Sequence, residues 1–451
     1  MPTLDSRNRR SHVGALALGL ALLGAASMLY YQFGLFMPRV QEVRIAKHLG
    51  GGYAFGDDFF PVWLTSREWL RERRDPYSPA TTREIQIGLF GRPLEGQFPT
   101  DPPNDYRTFA YPAFTDLLLW PASELPFAPL RVAWTVLLAA LTAASVWFWR
   151  QALSWRVSPR WLGIIVVILL CSYPGLEGLY AGQLGLLVGF LLSGSLLALM
   201  RGRLLLSGTL MALTTIKPQM SVLAILYLLL WCAHDWRRRS RFCVAFSATM
   251  ILLIGASLAV WPRWIESWGR VVLGYHRYAT PPLASVLPGS SLGAYCGAVF
   301  IAIALMTALT LVWRSRDAAA ASHEFWLTLS LLLAITTITI LPGQSVFDHV
   351  ILLPGIFLLA SRKQPGRSSP IFRALLVVGL AVLLWPWVAA LGLIGLRPFL
   401  SPEQFYSEAV FALPLRTAAA FPFVVLGLLA LALYRTSRRR RELASAPRSA
   451  Q

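Results

Sequence analysis

About twelve apolar runs, divided by short clusters of arginine, constrain this chain more than any other feature. Bilayer hydrocarbon offers peptide groups no hydrogen-bonding partner, so a chain of this kind folds as helices or as a closed barrel. Most of the runs are near the ~20 residues a helix needs to cross, about twice the length of a barrel strand, which selects helices. Spans are expected near residues 13–37, 127–149, 161–179, 182–200, 204–217, 218–234, 242–262, 292–313, 324–342, 347–361, 371–393 and 410–434. The fold class expected is therefore an all-α polytopic membrane protein, one transmembrane domain over residues 1–434. A basic, unstructured tail is expected over 435–451.

Composition and charge placement agree with this reading. The chain is 56% hydrophobic and 14% charged, whereas soluble domains average about 25% charged. A formal net charge of +19 invites a nucleic-acid partner, but the arginines sit between apolar runs and form no soluble basic domain. The clusters are Arg7/Arg9/Arg10, Arg150/Arg156/Arg160, Arg201/Arg203, Arg237/Arg238/Arg239/Arg241, Arg314/Arg316, Arg362/Lys363/Arg367 and Arg438 to Arg441. With the N-terminus inside and twelve crossings, every one of them faces the cytoplasm, as the positive-inside rule requires. Their partner is then the lipid headgroup layer. Both termini are expected to be cytoplasmic. The first run reads as a retained anchor, being too long for a signal-peptide core.

Four cysteines without CxxC spacing indicate neither a metal site nor a disulfide framework. Walker and Rossmann glycine patterns are absent, so a cytoplasmic nucleotide substrate and a bound cofactor are not expected.

On the opposite side the acid is concentrated. Of 22 Asp and Glu, 12 lie between Glu42 and Glu124, within an outside loop of residues 38–126. There Asp57-Asp58-Phe59 follows a glycine-rich exit from the first span and precedes an amphipathic stretch. Phe60, Trp63, Leu64, Trp69 and Leu70 form its apolar side, and Arg67, Glu68, Arg71 and Glu72 its polar side. This reads as a helix lying on the membrane surface. The adjacent aspartates have two readings, a helix cap or a catalytic carboxylate with a second acid beside it. The apolar segment 109–120 falls below spanning length and carries Pro112 and Asp116, so it is expected to be re-entrant or interfacial.

Other polar residues are expected on the same side, in apolar surroundings. Lys217, before Pro218, is either a snorkelling headgroup contact or a phosphate ligand, since an intramembrane cation is costly without an anion. His349, beside Asp348, is either interfacial or a phosphate contact. Gln183, after Gly182, either bonds a sugar hydroxyl or caps its helix. His276 and Arg277 sit among Trp268, Tyr275 and Tyr278, a composition that suits sugar faces and diphosphates but also ordinary membrane interfaces.

Taken in order, Asp58-Phe59, Asp75-Pro76-Tyr77, Phe109-x-Tyr111-Pro112, Gly182-Gln183, Lys217-Pro218 and His349 resemble glycosyltransferase family 87 across roughly residues 13–362. The resemblance implies the GT-C fold with a large first extracytoplasmic loop. It implies a polyprenyl-phosphate-mannose-dependent α-1,2-mannosyltransferase acting on a glycan or glycolipid acceptor at the extracytoplasmic face, in a bacterial inner membrane. It also implies Asp58 as general base; Asp57, Tyr111, Gln183, Lys217, His276, Arg277 and His349 are the substrate contacts expected around it, and the reaction so written needs no metal. This chain departs from the family pattern in carrying Asp57 as a second acid and Ala113 after Tyr111-Pro112. The competing classes are a flippase or transporter of lipid-linked sugars, which usually shows paired half-repeats, and a ligase, which usually places its large loop late. Neither feature is visible here.

Overall fold

The computed structural model describes residues 4–275, 281–285, 291–361 and 369–445. All regular structure among them is helical, with no strand. Six helices are long and apolar enough to cross a membrane: Gly14–Ala46, Phe127–Ala152, Trp236–Val260, Tyr295–Arg314, Pro370–Phe399 and Phe421–Arg438. Five apolar helices are shorter, Leu184–Met200, Leu204–Ile216, Val222–His234, His323–Thr339 and Val346–Ala360.

Two expected spans and the tail differ in shape. The span expected at 161–179 is a pair, Pro159–Leu170 and Tyr173–Ala181, bent by 62°. Ser172 accepts from the Gly175 N–H and so starts a new helix, with Pro174 in its first turn. Proline there lacks the N–H that a continuous helix needs. The span expected at 410–434 begins only at Phe421, because Pro414 interrupts the chain in a short 3₁₀ turn at Leu413–Leu415. The tail expected to be unstructured after Tyr434 is helical to Ser445, consistent with the good helix propensity of arginine.

The first helix runs beyond residue 37, through a π-helical turn at Tyr30–Phe36 and on to Ala46. The loop therefore opens nine residues later than expected. Within it, the amphipathic stretch forms the helix Phe60–Glu72. Its inner face is covered by protein rather than lipid: Phe60, Val62, Thr65, Ser66 and Trp69 are buried. The covering element is the ten-residue helix Phe114–Ser123, too short to span. Its buried Asp116 accepts from the hydroxyls of Thr65 (3.0 Å) and Ser66 (3.1 Å). The two amphipathic pieces thus fold on each other, while Trp120 stays exposed on the outer side of the second.

Side-chain contacts mark two ends of the bundle. At one end Arg201 donates to Gln151 (3.2 Å) and Trp231 to the Ala318 carbonyl (2.7 Å), which gathers the arginine-rich turns. The helices Phe127–Ala152 and Leu184–Met200 pack along each other, and the opposite end carries Trp134 and Gln183.

Candidate active site

The loop's aspartates are placed by backbone hydrogen bonds. A helix ends with carbonyls that have no partner within it. At the end of Tyr173–Ala181 these are met by the loop: Gly56 N donates to Tyr180 O (2.8 Å), and Asp58 N (3.0 Å) and Phe59 N (3.3 Å) to Ala181 O. Phe59 then stacks on Trp134, centroids 4.4 Å apart and planes within 7°. The Trp134 Nε1–H donates to Gly182 O at 2.9 Å. Gly182 itself has φ +72°, and a Cβ there would lie 2.9 Å from the Phe59 Cβ. This is why Gly182 follows the helix and why Phe59 follows Asp58.

Neither aspartate caps the helix Phe60–Glu72, whose N-cap is Phe59 without a side-chain bond. Instead both carboxylates face Arg107. Its Nη2 donates to Asp57 Oδ2 at 3.0 Å and its Nη1 to Asp58 Oδ1. Arg107 sits at φ +65°, an uncommon left-handed conformation for a residue with a Cβ. The other Asp58 oxygen, Oδ2, accepts from Gln183 Nε2 at 2.5 Å. Burial pushes the Asp57 carboxyl up to about 7; Arg107 and Arg44 oppose the rise, and Asp58 and Glu177 add to it. Glu177 is held by Gln32 Nε2 at 3.1 Å, a residue of the π-helical turn.

Beyond Gln183 the polar chain continues inward. Lys217 Nζ donates to Gln183 Oε1 (3.2 Å) and to both oxygens of Asp348 (2.7 and 2.8 Å). Lys217 lies at the break between the 3₁₀ turns Thr214–Ile216 and Pro218–Met220, and Asp348 in the 3₁₀ stretch Val346–Leu352. Both are buried, so Lys217 does not snorkel. Asp348 approaches so closely that a Cβ on Gly185 would lie 2.2 Å from its Oδ1. His349 is nearly buried, and its Nδ1 has no partner among the described residues.

Asp57, Asp58, Gln183 and Lys217 are therefore linked in one hydrogen-bonded series, through Arg107 and ending on Asp348. Gln183 is the N-cap residue of Leu184–Met200 but its side chain caps nothing. Tyr111 stands apart from the series: its carbonyl accepts the Tyr77 hydroxyl at 2.8 Å and its ring packs on Phe109. His276 and Arg277 lie outside the described residues. Sequence reasoning missed Arg107 and Asp348 as members. The available signal was electrostatic, since two adjacent acids and one buried lysine each demand a counter-charge.

The segment that carries Arg107 also borders a cavity of about 480 Å³, walled in part by Tyr77, Thr82, Asn104, Asp105, Thr108 and Arg270. In its wall Thr82 and Thr108 are hydrogen-bonded, hydroxyl to hydroxyl, at 3.0 Å. Among the described residues there is no cluster of three or more His, Cys, Asp or Glu side chains suited to a metal.

The family model of glycosyltransferase family 87 matches residues 109–342, just over half of the chain. No curated protein matches the sequence. The matched stretch contains Gln183, Lys217 and the bent helix pair. The two aspartates and Asp348 lie on either side of it.

Proposed function

Since the chain belongs to glycosyltransferase family 87, we propose that it moves a sugar, mannose in the first instance, from a polyprenyl-phosphate donor to a glycan or glycolipid acceptor outside the cytoplasm. The enzyme class is a glycosyltransferase acting as a hexosyltransferase. The observation that carries the finer reading is the placement of Asp58. It is an oriented carboxylate with two donors, at the end of the helices away from the arginine-rich turns. By the positive-inside rule those turns face the cytoplasm, and the aspartates then face out. In this reading the bent pair and the five shorter apolar helices complete a set of about twelve crossings, in a bacterial inner membrane.

Asp58 takes the proton of the acceptor hydroxyl as that oxygen attacks the anomeric carbon. The bond from that carbon to the phosphate oxygen breaks, its electron pair leaves on the lipid phosphate, and configuration inverts. A single carboxylate suffices because no glycosyl-enzyme forms; a retaining glycosidase needs two. His349 stabilises charge on the departing phosphate through an imidazole N–H, and Arg277 is a further candidate for that charge. The cavity walled in part by Tyr77, Asn104, Asp105 and Thr108 takes the acceptor, since its lining brings polar side chains to the segment that also carries Arg107. The lipid tail lies between spans.

A second reading has Asp57 as the base, because Arg107 orients its carboxylate beside that of Asp58 and burial pushes its carboxyl up, toward the operating pH that favours proton transfer. Purified protein given polyprenyl-phosphate mannose decides between them. Asp58→Asn should lower kcat by about 10²- to 10⁴-fold, and Asp57→Asn by much less. Full turnover in Asp58→Asn ends the first reading; a large loss confined to Asp57→Asn establishes the second.

A further inference from the structure

Gln183 stands between a donor and an acceptor that leave its amide no choice of orientation. A lysine ammonium has donors only, so the amide atom 3.2 Å from Lys217 Nζ is the oxygen. The amide nitrogen is thereby turned toward Asp58 Oδ2, 2.5 Å away. Lys217 is committed on every side. Its ammonium reaches three oxygens, those of Gln183 and Asp348, and lies over the Phe347 ring at 4.9 Å. Three N–H groups are matched by three acceptors, which leaves none for a phosphate.

We propose that Lys217 and Asp348 are positioning residues: their buried ion pair fixes the Gln183 amide, the amide fixes the Asp58 carboxylate, and Lys217 does not bind the donor phosphate. The proposal rests on Asp58 as the base and goes beyond it by assigning what holds that base in register.

The geometry explains why a charged pair is kept in so apolar a place. Both partners come from irregular stretches at helix breaks, where backbone is tolerated only if protein or a cavity encloses it. Pinning both to the first turn of Leu184–Met200 makes the position of Asp58 depend on three segments at once. An apolar pair of similar volume is often as stable as a buried ion pair, so stability alone does not account for it. The charged and titratable groups around Asp58 are Asp57 and Arg107 from the loop, Glu177 from the preceding helix, and Lys217 with Asp348 behind Gln183.

The test compares Gln183→Met, the double variant Lys217→Met with Asp348→Leu, and the triple combination. The donor is polyprenyl-phosphate mannose and the acceptor a mannose-terminated glycolipid. Loss of register should lower kcat by about 10- to 100-fold in Gln183→Met and by the same factor in the double variant. Donor KM should stay within about twofold, and the triple variant should be no slower than the double. A donor KM raised about tenfold by the double variant at unchanged kcat would put Lys217 on the phosphate and overturn the proposal. So would losses that multiply in the triple variant.

Should the double variant fail to fold, Gln183→Glu decides. It keeps an acceptor for Lys217 but turns an unprotonated oxygen toward Asp58, so kcat must fall; full activity there refutes the relay. Asp58→Asn run alongside separates the two readings, since activity retained in that variant removes the base and not the relay's geometry.

Discussion

Replacing Gly185 by alanine tests the buried part of this series through a single methyl group. The new Cβ would lie 2.2 Å from Asp348 Oδ1, about 1.2 Å inside the 3.4 Å at which ordinary contact begins. Asp348 cannot yield that distance and keep both bonds to Lys217, now 2.7 and 2.8 Å, because a shift of that size stretches them beyond hydrogen-bond length. Moving the carboxylate away leaves the ammonium without its counter-charge, which costs about 3–5 kcal/mol when one partner of a buried pair is lost. Moving the helix instead disturbs Gln183, two residues earlier, and with it the bond to Asp58. Either response predicts a clear fall in the thermal midpoint of the detergent-purified protein and a loss of transfer. Gly255, whose Cβ would meet nothing within 4 Å, supplies the control: Gly255→Ala should leave both unchanged. If Gly185→Ala melts and turns over like the parent, the close approach of Asp348 to this helix is not what holds the series together.

Two further outcomes follow from the loop. The folded Asp57 carboxyl is raised from 3.8 to about 7 by burial, so the folded chain binds that proton more tightly than the unfolded chain. Stability should therefore fall as pH rises from about 4 to about 7 and level off above. Asp57→Asn should flatten that part of the curve, measured as thermal midpoint against pH, and an unchanged slope refutes the assignment. In the cavity, Asn104→Ala with Thr108→Ala should raise the acceptor KM by about tenfold, roughly one hydrogen bond, without changing the donor KM. A rise confined to the donor KM would place the donor there.

The sequence carried much of the architecture. Hydropathy and arginine spacing are local properties that report whether a segment meets lipid or water, and they located most apolar helices within a few residues; the first, which runs on to Ala46, and the last, which begins only at Phe421, are the exceptions. They did less well where a proline or a serine cap divides a run, as at Ser172-Tyr173-Pro174, because composition does not register a bend. The amphipathic pattern at Phe60–Glu72 was legible as a helix, but its cover was not. A stripe of apolar side chains looks the same whether lipid or the Phe114–Ser123 helix lies against it.

For the site, residue type was enough to single out Asp57, Asp58, Gln183 and Lys217, since polar groups in apolar surroundings need partners. Which partners they take is a tertiary matter. Gln183 meets Asp58 across 125 positions of sequence and Lys217 meets Asp348 across 131, and no local pattern encodes such pairings. Arg107 was invisible for the same reason: one arginine in a polar loop is ordinary until folding brings it between two carboxylates. The sequence by itself determined a helical membrane protein with its acid gathered in one loop. Only the packing of distant segments, brought close where glycine leaves room, decided that those charges neutralise one another in a single series, because electrostatic pairing depends on distance in space and not on order along the chain.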